Sequence, residues 1–200
     1  MLNVYLLRHG ETQYNADGNR YCGRTDINLT AKGMSQANLV YEQLKGMTFD
    51  AVYASPLKRA LYTAEIASGV KTVQTDARLI EVDFGNWEGK TKEEFIAEHA
   101  GLWDSWMEDP AIAKAGGTGE SAAEVVARVD DFYQELLRKH PSGKVLVVGH
   151  NGINRLYLAH KLGMPLKHYR RIVQENSSIT LFSLDEGGEM NLKLLNSRIK

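Results

Sequence analysis

Short apolar segments alternate with amphipathic segments along most of the chain, and this alternation limits the fold more than any other feature of the sequence. Three of the apolar segments, Leu2–Leu7, Ala51–Ala54 and Lys144–Gly149, have the length and composition of buried strands. Because strands that alternate with helices are typical of α/β proteins, we expect a three-layer α/β/α fold with a mainly parallel central sheet flanked by helices.

Capping residues and apolar spacing predict the first two helices. One helix is expected over Thr30–Leu44. Its buried face is predicted to consist of Met34, Ala37, Tyr41 and Leu44. In the next helix, Ser55 is expected to cap the N-terminus, Pro56 to occupy the first helical position and Gly69 to follow the last turn.

Two capping boxes, Thr91 with Glu94 and Ser121 with Glu124, predict where two later helices begin. The second of these helices has an amphipathic pattern. Its buried stripe is expected to be Val125, Val129, Phe132 and Leu136. The chain is then expected to end with a strand, a helix and a hairpin of two strands, at Lys144–Gly149, about Gly152–Lys161, Ile179–Leu184 and Met190–Leu195.

Composition and charge exclude several classes of function. The 200 residues include 24 basic and 25 acidic side chains, and the net charge of −1 gives no general attraction to nucleic acid or to an anionic membrane. The single cysteine cannot form an internal disulfide and indicates a reducing compartment. Since the sequence has no apolar run of membrane-spanning length and no signal-peptide pattern, we expect a cytoplasmic protein.

Arginines, histidines and a carboxylate follow the predicted strands. Arg8 and His9 end the first strand, Arg59 follows the second, His150 follows the buried strand near the C-terminus, and Glu81 lies between them. Ligands of open α/β sheets bind beyond the carboxyl ends of the strands, so these groups are expected at one edge. Guanidinium groups suit phosphate oxygens, and histidine can act as a nucleophile or an acid–base group. The residues alone leave a phosphate site and scattered surface charges as the two interpretations.

The motifs at these strand ends resemble the histidine phosphatase superfamily, also called the phosphoglycerate mutase-like family. The resemblance begins at Leu7–Thr12 (LRHGET) and covers nearly the whole chain. It is carried further by Asn15, Ser55–Ala60 (SPLKRA), Glu81, Phe84–Gly89 (FGNWEG), Gly119–Ser121 and Val148–His150. It implies one domain over residues 1–200, with a small helical cap insertion at about residues 91–119.

The resemblance also implies a role for each matching residue. His9 would attack phosphorus and form a phosphohistidine, and Glu81 would protonate the leaving group and later accept a proton from water. His150 completes the catalytic set. The phosphoryl oxygens would be held mainly by Arg8, Asn15, Arg59 and His150.

Four further residues are expected as secondary phosphate contacts: Thr12, Cys22, Gly23 and Asn151. Gly10 and Gly23 are interpreted as positions where the backbone approaches the phosphate, since neither carries a Cβ. Four arginines outside the motifs are interpreted as solvated charges more readily than as the substrate entrance: Arg20, Arg24, Arg170 and Arg171.

Other chemistries do not fit the sequence. The segment Gly85–Thr91 is one residue short of a P-loop. No Asp-x-Asp occurs, and no group of His, Asp and Glu has the spacing of metal ligands. We therefore expect no metal site and no cofactor.

The chain length and the sequence after Glu81 favour a phosphatase over a mutase, because mutases of the family are longer and differ after this residue. The predicted activity is metal-independent hydrolysis of small phosphomonoesters. Two alternatives stay open, phosphoglycerate mutase-type phosphoryl transfer and non-catalytic binding of a phosphorylated ligand. The expected partner is a small phosphorylated metabolite rather than nucleic acid or a membrane, and a homodimer is an open alternative to a monomer.

Overall fold

A single sheet runs through the middle of the protein. The structure is a computed structural model that describes residues 1–198. In that part of the chain the strands are β1 Leu2–Arg8, β2 Ala51–Ala54, β3 Gln74–Thr75, β4 Gly143–Gly149, β5 Ile179–Leu184 and β6 Met190–Ser197. Their order in the sheet is β3-β2-β4-β1-β5-β6. The first four strands in this order pair in parallel, and β5 and β6 are antiparallel, so the sheet is mainly parallel as predicted.

Helices connect the parallel strands. Within residues 1–198 they are α1 Gln13–Ala16, α2 Ala31–Leu44, α3 Lys58–Ser68, α4 Lys92–Glu108, α5 Ala122–Lys139 and α6 Asn151–Lys161. Short 3₁₀ turns complete the connections, the longest of them at Leu166–Arg171.

The two faces of the sheet are covered by different helices, which confirms the predicted three-layer α/β/α arrangement. Along β1, Leu6 packs into a core shared with α5 and α6, whereas the next residue, Leu7, packs into a second core shared with α2 and α3. Such alternation follows from the period of two in a strand. The predicted stripe of α5 is buried at all four positions: Val125, Val129, Phe132 and Leu136.

The buried face of α2 differs from the prediction. Ala37 and Leu44 are buried as expected, but Met34 and Tyr41 are exposed. The positions that face the sheet are Gly33, Ala37, Val40 and Leu44. Gly33 packs against the backbone at Glu11 so closely that no larger residue fits, and this contact rotates the helix away from the face that hydrophobicity alone predicted.

The prediction that Ser55 caps the second helix and that Pro56 begins it is wrong. Helix α3 begins at Lys58, and Ser55 instead accepts a hydrogen bond from the backbone N–H of Leu57. The backbone N–H of Lys58 donates to the Asp26 carboxylate at 2.8 Å. A side chain from a distant loop therefore takes the capping role.

Helix α4 covers most of the segment that the sequence analysis assigns to a cap. It begins with the predicted Thr91–Glu94 capping box and is kinked at His99. Its side chains Phe95, Trp103 and Trp106 pack around Trp87, which is fully buried. Within residues 1–198 no helix combines the length and apolar character needed to cross a membrane.

Candidate active site

The parallel register of β1 and β4 brings two histidines together. Arg8 at the end of β1 pairs with Gly149 at the end of β4, so the next residues, His9 and His150, lie side by side beyond the carboxyl ends of the strands. Their ring centroids are 5.1 Å apart. Both rings are buried, which limits the number of groups that can reach them.

The backbone selects the tautomer of His9. Its Nδ1 lies 2.7 Å from the carbonyl oxygen of Gly10, an acceptor, so Nδ1 carries the proton and donates it. The unprotonated Nε2 is then left as the nucleophilic atom of a ring that borders an open cavity. Burial, with help from Arg59 and Arg8, lowers the pKa of His9 well below its usual value. The ring is therefore neutral at neutral pH.

The tautomer of His150 is the opposite one. Nε of Arg59 donates to Nδ1 of His150 at 3.2 Å, and since arginine cannot accept, this nitrogen of His150 carries no proton. The proton lies on Nε2, which is buried and has no partner within residues 1–198. Burial and the charge of Arg59 also lower the pKa of His150 well below its usual value. His150 thus presents an unused N–H next to the nucleophilic ring.

Arg59 is fully buried, and all three nitrogens of its guanidinium group donate hydrogen bonds. Besides His150, it donates to the carbonyl oxygens of Thr25, Cys22 and Gly23. These contacts use four of the five N–H bonds of the guanidinium group, and Arg59 lies behind the residues that line the cavity. The loop that carries Cys22 and Gly23 is consequently tied to α3.

Arg8 borders the cavity beside His9. Its Nη1 donates to the carbonyl oxygen of Gln174 at 2.9 Å, while its buried Nε has no partner within residues 1–198. Burial, and next the charge of Arg155, lower the pKa of Arg8 to about 10, so the group remains a cation at neutral pH. No carboxylate lies within 4 Å of Arg8 in this part of the chain, and its charge is available to an anion.

Glu81 borders the same cavity and is held at the N-terminus of α6. One carboxylate oxygen accepts from the backbone N–H of Gly152 at 2.9 Å, and the other accepts from Ile153 at 3.0 Å and from Val82 at 2.9 Å. Three backbone donors fix the orientation of the carboxyl group. The structure therefore brings Glu81 together with His9, as the sequence analysis expects.

A partly buried ion pair holds the backbone around this carboxylate. Arg128 donates to both oxygens of Glu120 and to the carbonyl oxygens of Arg78 and Ile80. Glu120 in turn accepts from the backbone N–H of Asp83 at 2.9 Å. The sequence analysis missed Arg128, because only the packing of α5 against the loop shows that they meet.

Asn15 is oriented by its neighbours. Its Oδ1 accepts from the backbone N–H and the hydroxyl of Thr12 and from Nδ2 of Asn176. Its own Nδ2 is left free to donate toward the cavity, which Asn15 lines. Thr12 is fully buried as the N-cap of α1 and does not line the cavity, so its expected phosphate contact stays a prediction. Asn176 was missed by the sequence analysis.

Gly10 and Gly23 both pack closely against other backbone segments. A Cβ on Gly10 would lie 2.5 Å from the carbonyl oxygen of Gly33, and one on Gly23 would lie 2.3 Å from that of Val82. The N–H of Gly10 donates to Thr63, and that of Gly23 donates to Glu88. Close packing of backbones therefore explains both glycines, and phosphate contact by Gly23 stays a prediction.

Cys22 and Asn151 both line the cavity. Burial raises the pKa of Cys22 to about 11, so its sulfur is a thiol rather than a nucleophilic thiolate at neutral pH. Oδ1 of Asn151 is buried and has no partner within residues 1–198. Both side chains are placed to touch a ligand, and their role as phosphate contacts stays a prediction.

The outer wall of the cavity is also basic. Arg20 and Arg170 line it, whereas Arg24 pairs with Glu120 outside it and Arg171 is exposed. Arg155 lines it too and was missed by the sequence analysis. Helical spacing could have indicated Arg155, because it lies one turn after Asn151 on the same face of α6. Its Nε donates to the carbonyl oxygen of Asn151.

Among residues 1–198, no group of three or more His, Cys, Asp or Glu side chains is arranged to hold a metal ion. The strongest concentration of charge in the site is cationic and comes from arginine side chains.

Comparison with known proteins matches this arrangement to one family. The sequence profile of the histidine phosphatase superfamily, branch 1, matches residues 4–198. The chain belongs to the histidine phosphatase superfamily. A phosphoserine phosphatase of Hydrogenobacter thermophilus is 34% identical over 197 residues, which are 97% of this chain and 92% of that protein.

Other histidine phosphatases are similar over most of their length. The adenosylcobalamin/α-ribazole phosphatase of Escherichia coli is 34% identical over 174 residues, 84% of this chain and 85% of the relative. Among solved structures, the phosphoserine phosphatase of Entamoeba histolytica with bound 3-phosphoglyceric acid superposes with a TM-score of 0.89 at 32% identity, covering 98% of each chain. This histidine phosphatase is accordingly a phosphomonoester hydrolase of the phosphoglycerate mutase-like family.

Proposed function

We propose that the protein hydrolyses small phosphomonoesters without a metal ion, through a phosphohistidine on Nε2 of His9. One observation carries this proposal: two adjacent neutral imidazoles have complementary tautomers. Nε2 of His9 has a lone pair because Nδ1 is the donor, and Nε2 of His150 has a proton because Nδ1 is the acceptor. One ring can attack phosphorus while the other donates to a phosphoryl oxygen.

The first chemical step transfers the phosphoryl group to the enzyme. The lone pair of Nε2 of His9 forms the N–P bond as the P–O bond to the leaving group breaks, and protonated Glu81 gives its proton to the leaving oxygen. The negative charge on the transferred group lies among Arg8, Arg59 and the N–H of His150. The alcohol then leaves.

The second step returns the enzyme to its starting state. Glu81, now a carboxylate, takes a proton from a water molecule, whose oxygen forms the new P–O bond as the N–P bond breaks. Inorganic phosphate leaves, His9 is neutral again and Glu81 is protonated. The three backbone donors that hold Glu81 keep its carboxyl group in one place through both steps.

The size of the cavity and the names of the relatives support a small substrate. The cavity has a volume of about 310 Å³, at the lower end of the range for ligand pockets. The relatives include phosphatases named for phosphoserine and for α-ribazole phosphate. A cytoplasmic location, a metabolite partner and a choice between monomer and homodimer stay predictions.

Rapid-quench measurements with a ³²P-labelled phosphomonoester in excess EDTA test the proposal. We expect wild-type protein to release phosphate and to form an acid-labile phosphoenzyme. His9→Ala should form none, whereas Glu81→Gln should still be labelled but release phosphate slowly, by about 10²–10⁴-fold. His160→Ala, which replaces an exposed histidine of α6, is the matched control.

Two results would contradict the proposal. One is activity that EDTA removes, and the other is phosphate release that survives His9→Ala. A phosphoglycerate isomerisation assay on the same samples tests the mutase alternative, since a mutase would return the labelled group to the substrate rather than to water. Binding of ligand with no turnover would indicate the non-catalytic alternative.

A further inference from the structure

Two arginines of the cavity wall have no carboxylate partner. Arg155 and Arg170 both line the cavity, and within residues 1–198 neither has an acidic side chain within 4 Å. Arg20, on the same wall, differs because it pairs with Asp17 and Glu94. A partly buried cation without an anion is costly, so two such groups at the mouth of one cavity need an explanation.

Aromatic rings hold the two guanidinium groups in place. Arg155 lies over the ring of Tyr169 at 5.1 Å, and Arg170 lies over Trp103 at 5.0 Å. Nη1 of Arg170 also donates to the hydroxyl of Tyr21 at 3.1 Å. The only hydrogen bond of Arg155 within residues 1–198 is from Nε to the carbonyl oxygen of Asn151, which leaves both of its Nη groups unused. Stacking therefore orients these groups while most of their donors stay free.

The charge of the site exceeds what a phosphomonoester needs. A phosphate monoester carries up to two negative charges at neutral pH, and Arg8 and Arg59 beside His9 match them. Arg155 and Arg170 then add two positive charges, of which Glu81 offsets one when it is ionised and none when it is protonated. A substrate with one more negative charge would reduce this excess, whereas one with a neutral leaving group would not.

We propose that Arg155 and Arg170 form a second anion subsite, which selects small phosphomonoesters that carry a carboxylate beside the phosphate ester. This inference rests on the proposed function, since it concerns the leaving-group side of the same cavity. The free Nη groups of Arg155 provide the planar pair of donors that a carboxylate accepts.

Matched pairs of substrates test the subsite in the wild-type protein. O-phosphoserine and O-phosphoethanolamine differ by one carboxylate, and so do 3-phosphoglycerate and glycerol 3-phosphate. We expect kcat/KM to be about 10- to 100-fold higher for the carboxylated member of each pair, as for other charge-assisted hydrogen bonds. Fructose 1,6-bisphosphate and fructose 6-phosphate differ by one phosphate. Comparing their kcat/KM values shows whether a second phosphate can replace the carboxylate in the subsite.

Variants then assign the preference to the two arginines. Arg155→Gln should lower the preference for the carboxylated substrate to near one in both pairs, and Arg170→Gln should reduce it in the same direction. Arg171→Gln, next in sequence but exposed, is the control and should keep the wild-type ratio. Circular dichroism and a thermal melt show that each variant is folded.

Calorimetry with the His9→Ala variant separates this inference from the proposed function. If turnover is absent with every ester, the proposed function has failed, but binding of O-phosphoserine and O-phosphoethanolamine still reports on the subsite. Equal affinity for the two ligands, equal kcat/KM within the carboxylate pairs, or a preference for the bisphosphate alone would each overturn the inference. A preference that persists in Arg155→Gln would overturn the assignment to Arg155.

Discussion

Two histidines stay neutral because of where the chain places them. His9 and His150 are buried next to Arg8 and Arg59, so a proton on either ring would be both desolvated and repelled. A single feature of the site, the burial of both rings beside arginines, thus has two effects. It favours an anion in the cavity and keeps the ring of His9 unprotonated.

The same feature makes stability depend on pH. We expect the free energy of unfolding to fall as pH drops below about 6.5, where an unfolded histidine takes up a proton. In the folded protein His9 and His150 take one up only at much lower pH, because burial and Arg59 lower both pKa values. The unfolded state then binds more protons, and each ring costs about 1.4 kcal/mol of stability per pH unit.

Denaturant titrations between about pH 7.5 and pH 5.5 measure this effect, and NMR of the imidazole nitrogens shows the protonation state directly. Replacing His150 with Gln should make the loss of stability less steep. Equal stability at both ends of the range, or ring signals of imidazolium at the lower pH, would show that the rings are not held neutral.

At this scale, sequence predicts the residues whose position is set by a strand end. His9 and His150 follow apolar strands directly, so their meeting at one sheet edge follows from topology. Arg155 depends on the rotation of α6, and Arg128 and Asn176 meet the site only through tertiary packing. Periodicity and composition do not contain that information.

Among the helices and strands, the start of α6 leaves little space for a larger side chain. Its first backbone N–H groups hold Glu81, and Gly152 lies directly against the carboxylate. A Cβ on Gly152 would lie 2.6 Å from a carboxylate oxygen of Glu81 and 2.8 Å from the side chain of Val82. The position therefore requires glycine for space.

We expect Gly152→Ala to slow phosphate release by at least about 10-fold, because the methyl group displaces the carboxyl group of Glu81, to which the proposed mechanism gives the proton transfers. Gly101→Ala is the matched control, since a Cβ there has nothing within 4 Å and lies inside α4. It should keep the wild-type kcat and raise the free energy of unfolding by about 0.5–1 kcal/mol. Steady-state kinetics and denaturant titrations of both variants measure these changes; a wild-type kcat in Gly152→Ala would show that the carboxyl group adapts.

Helix starts were predictable where the cap is local in sequence. Thr91 and Ser121 each accept from a backbone N–H three residues later, and both were identified from the spacing of their capping boxes. The start of α3 was not predictable, because Asp26 supplies its cap from another loop. The sequence pattern instead predicted Ser55, because that residue lies next to the expected helix start.

Across the whole molecule, an aromatic cluster joins α4 to the rest of the fold. Trp87 stacks on Phe95 at 4.7 Å and contacts Trp103 and Trp106, while Trp106 reaches Tyr169. These side chains belong to one continuous core that also includes β1 and β4. Trp103 and Trp106 are both buried in this core.

We expect Trp87→Ala to lower the free energy of unfolding by about 3–5 kcal/mol, the cost of a large buried cavity. That loss is a considerable part of the roughly 5–15 kcal/mol that stabilises a typical domain. Ile112→Ala changes a residue that is 78% exposed and should stay within about 0.5 kcal/mol of wild type. Differential scanning calorimetry measures both changes. Two separate unfolding transitions in Trp87→Ala, in place of one, would show that α4 unfolds independently of the sheet.

The central position of β1 has a consequence for biosynthesis. This strand leaves the ribosome well before its two neighbours in the sheet, β4 and β5, which begin only at Gly143 and Ile179. At a translation rate of about 5–20 residues per second, both edges of an apolar strand wait for roughly ten seconds or more without a partner. The nascent chain therefore exposes the apolar strand that precedes His9 for much of its synthesis, and we expect chaperones that bind exposed strands to associate with it before it folds.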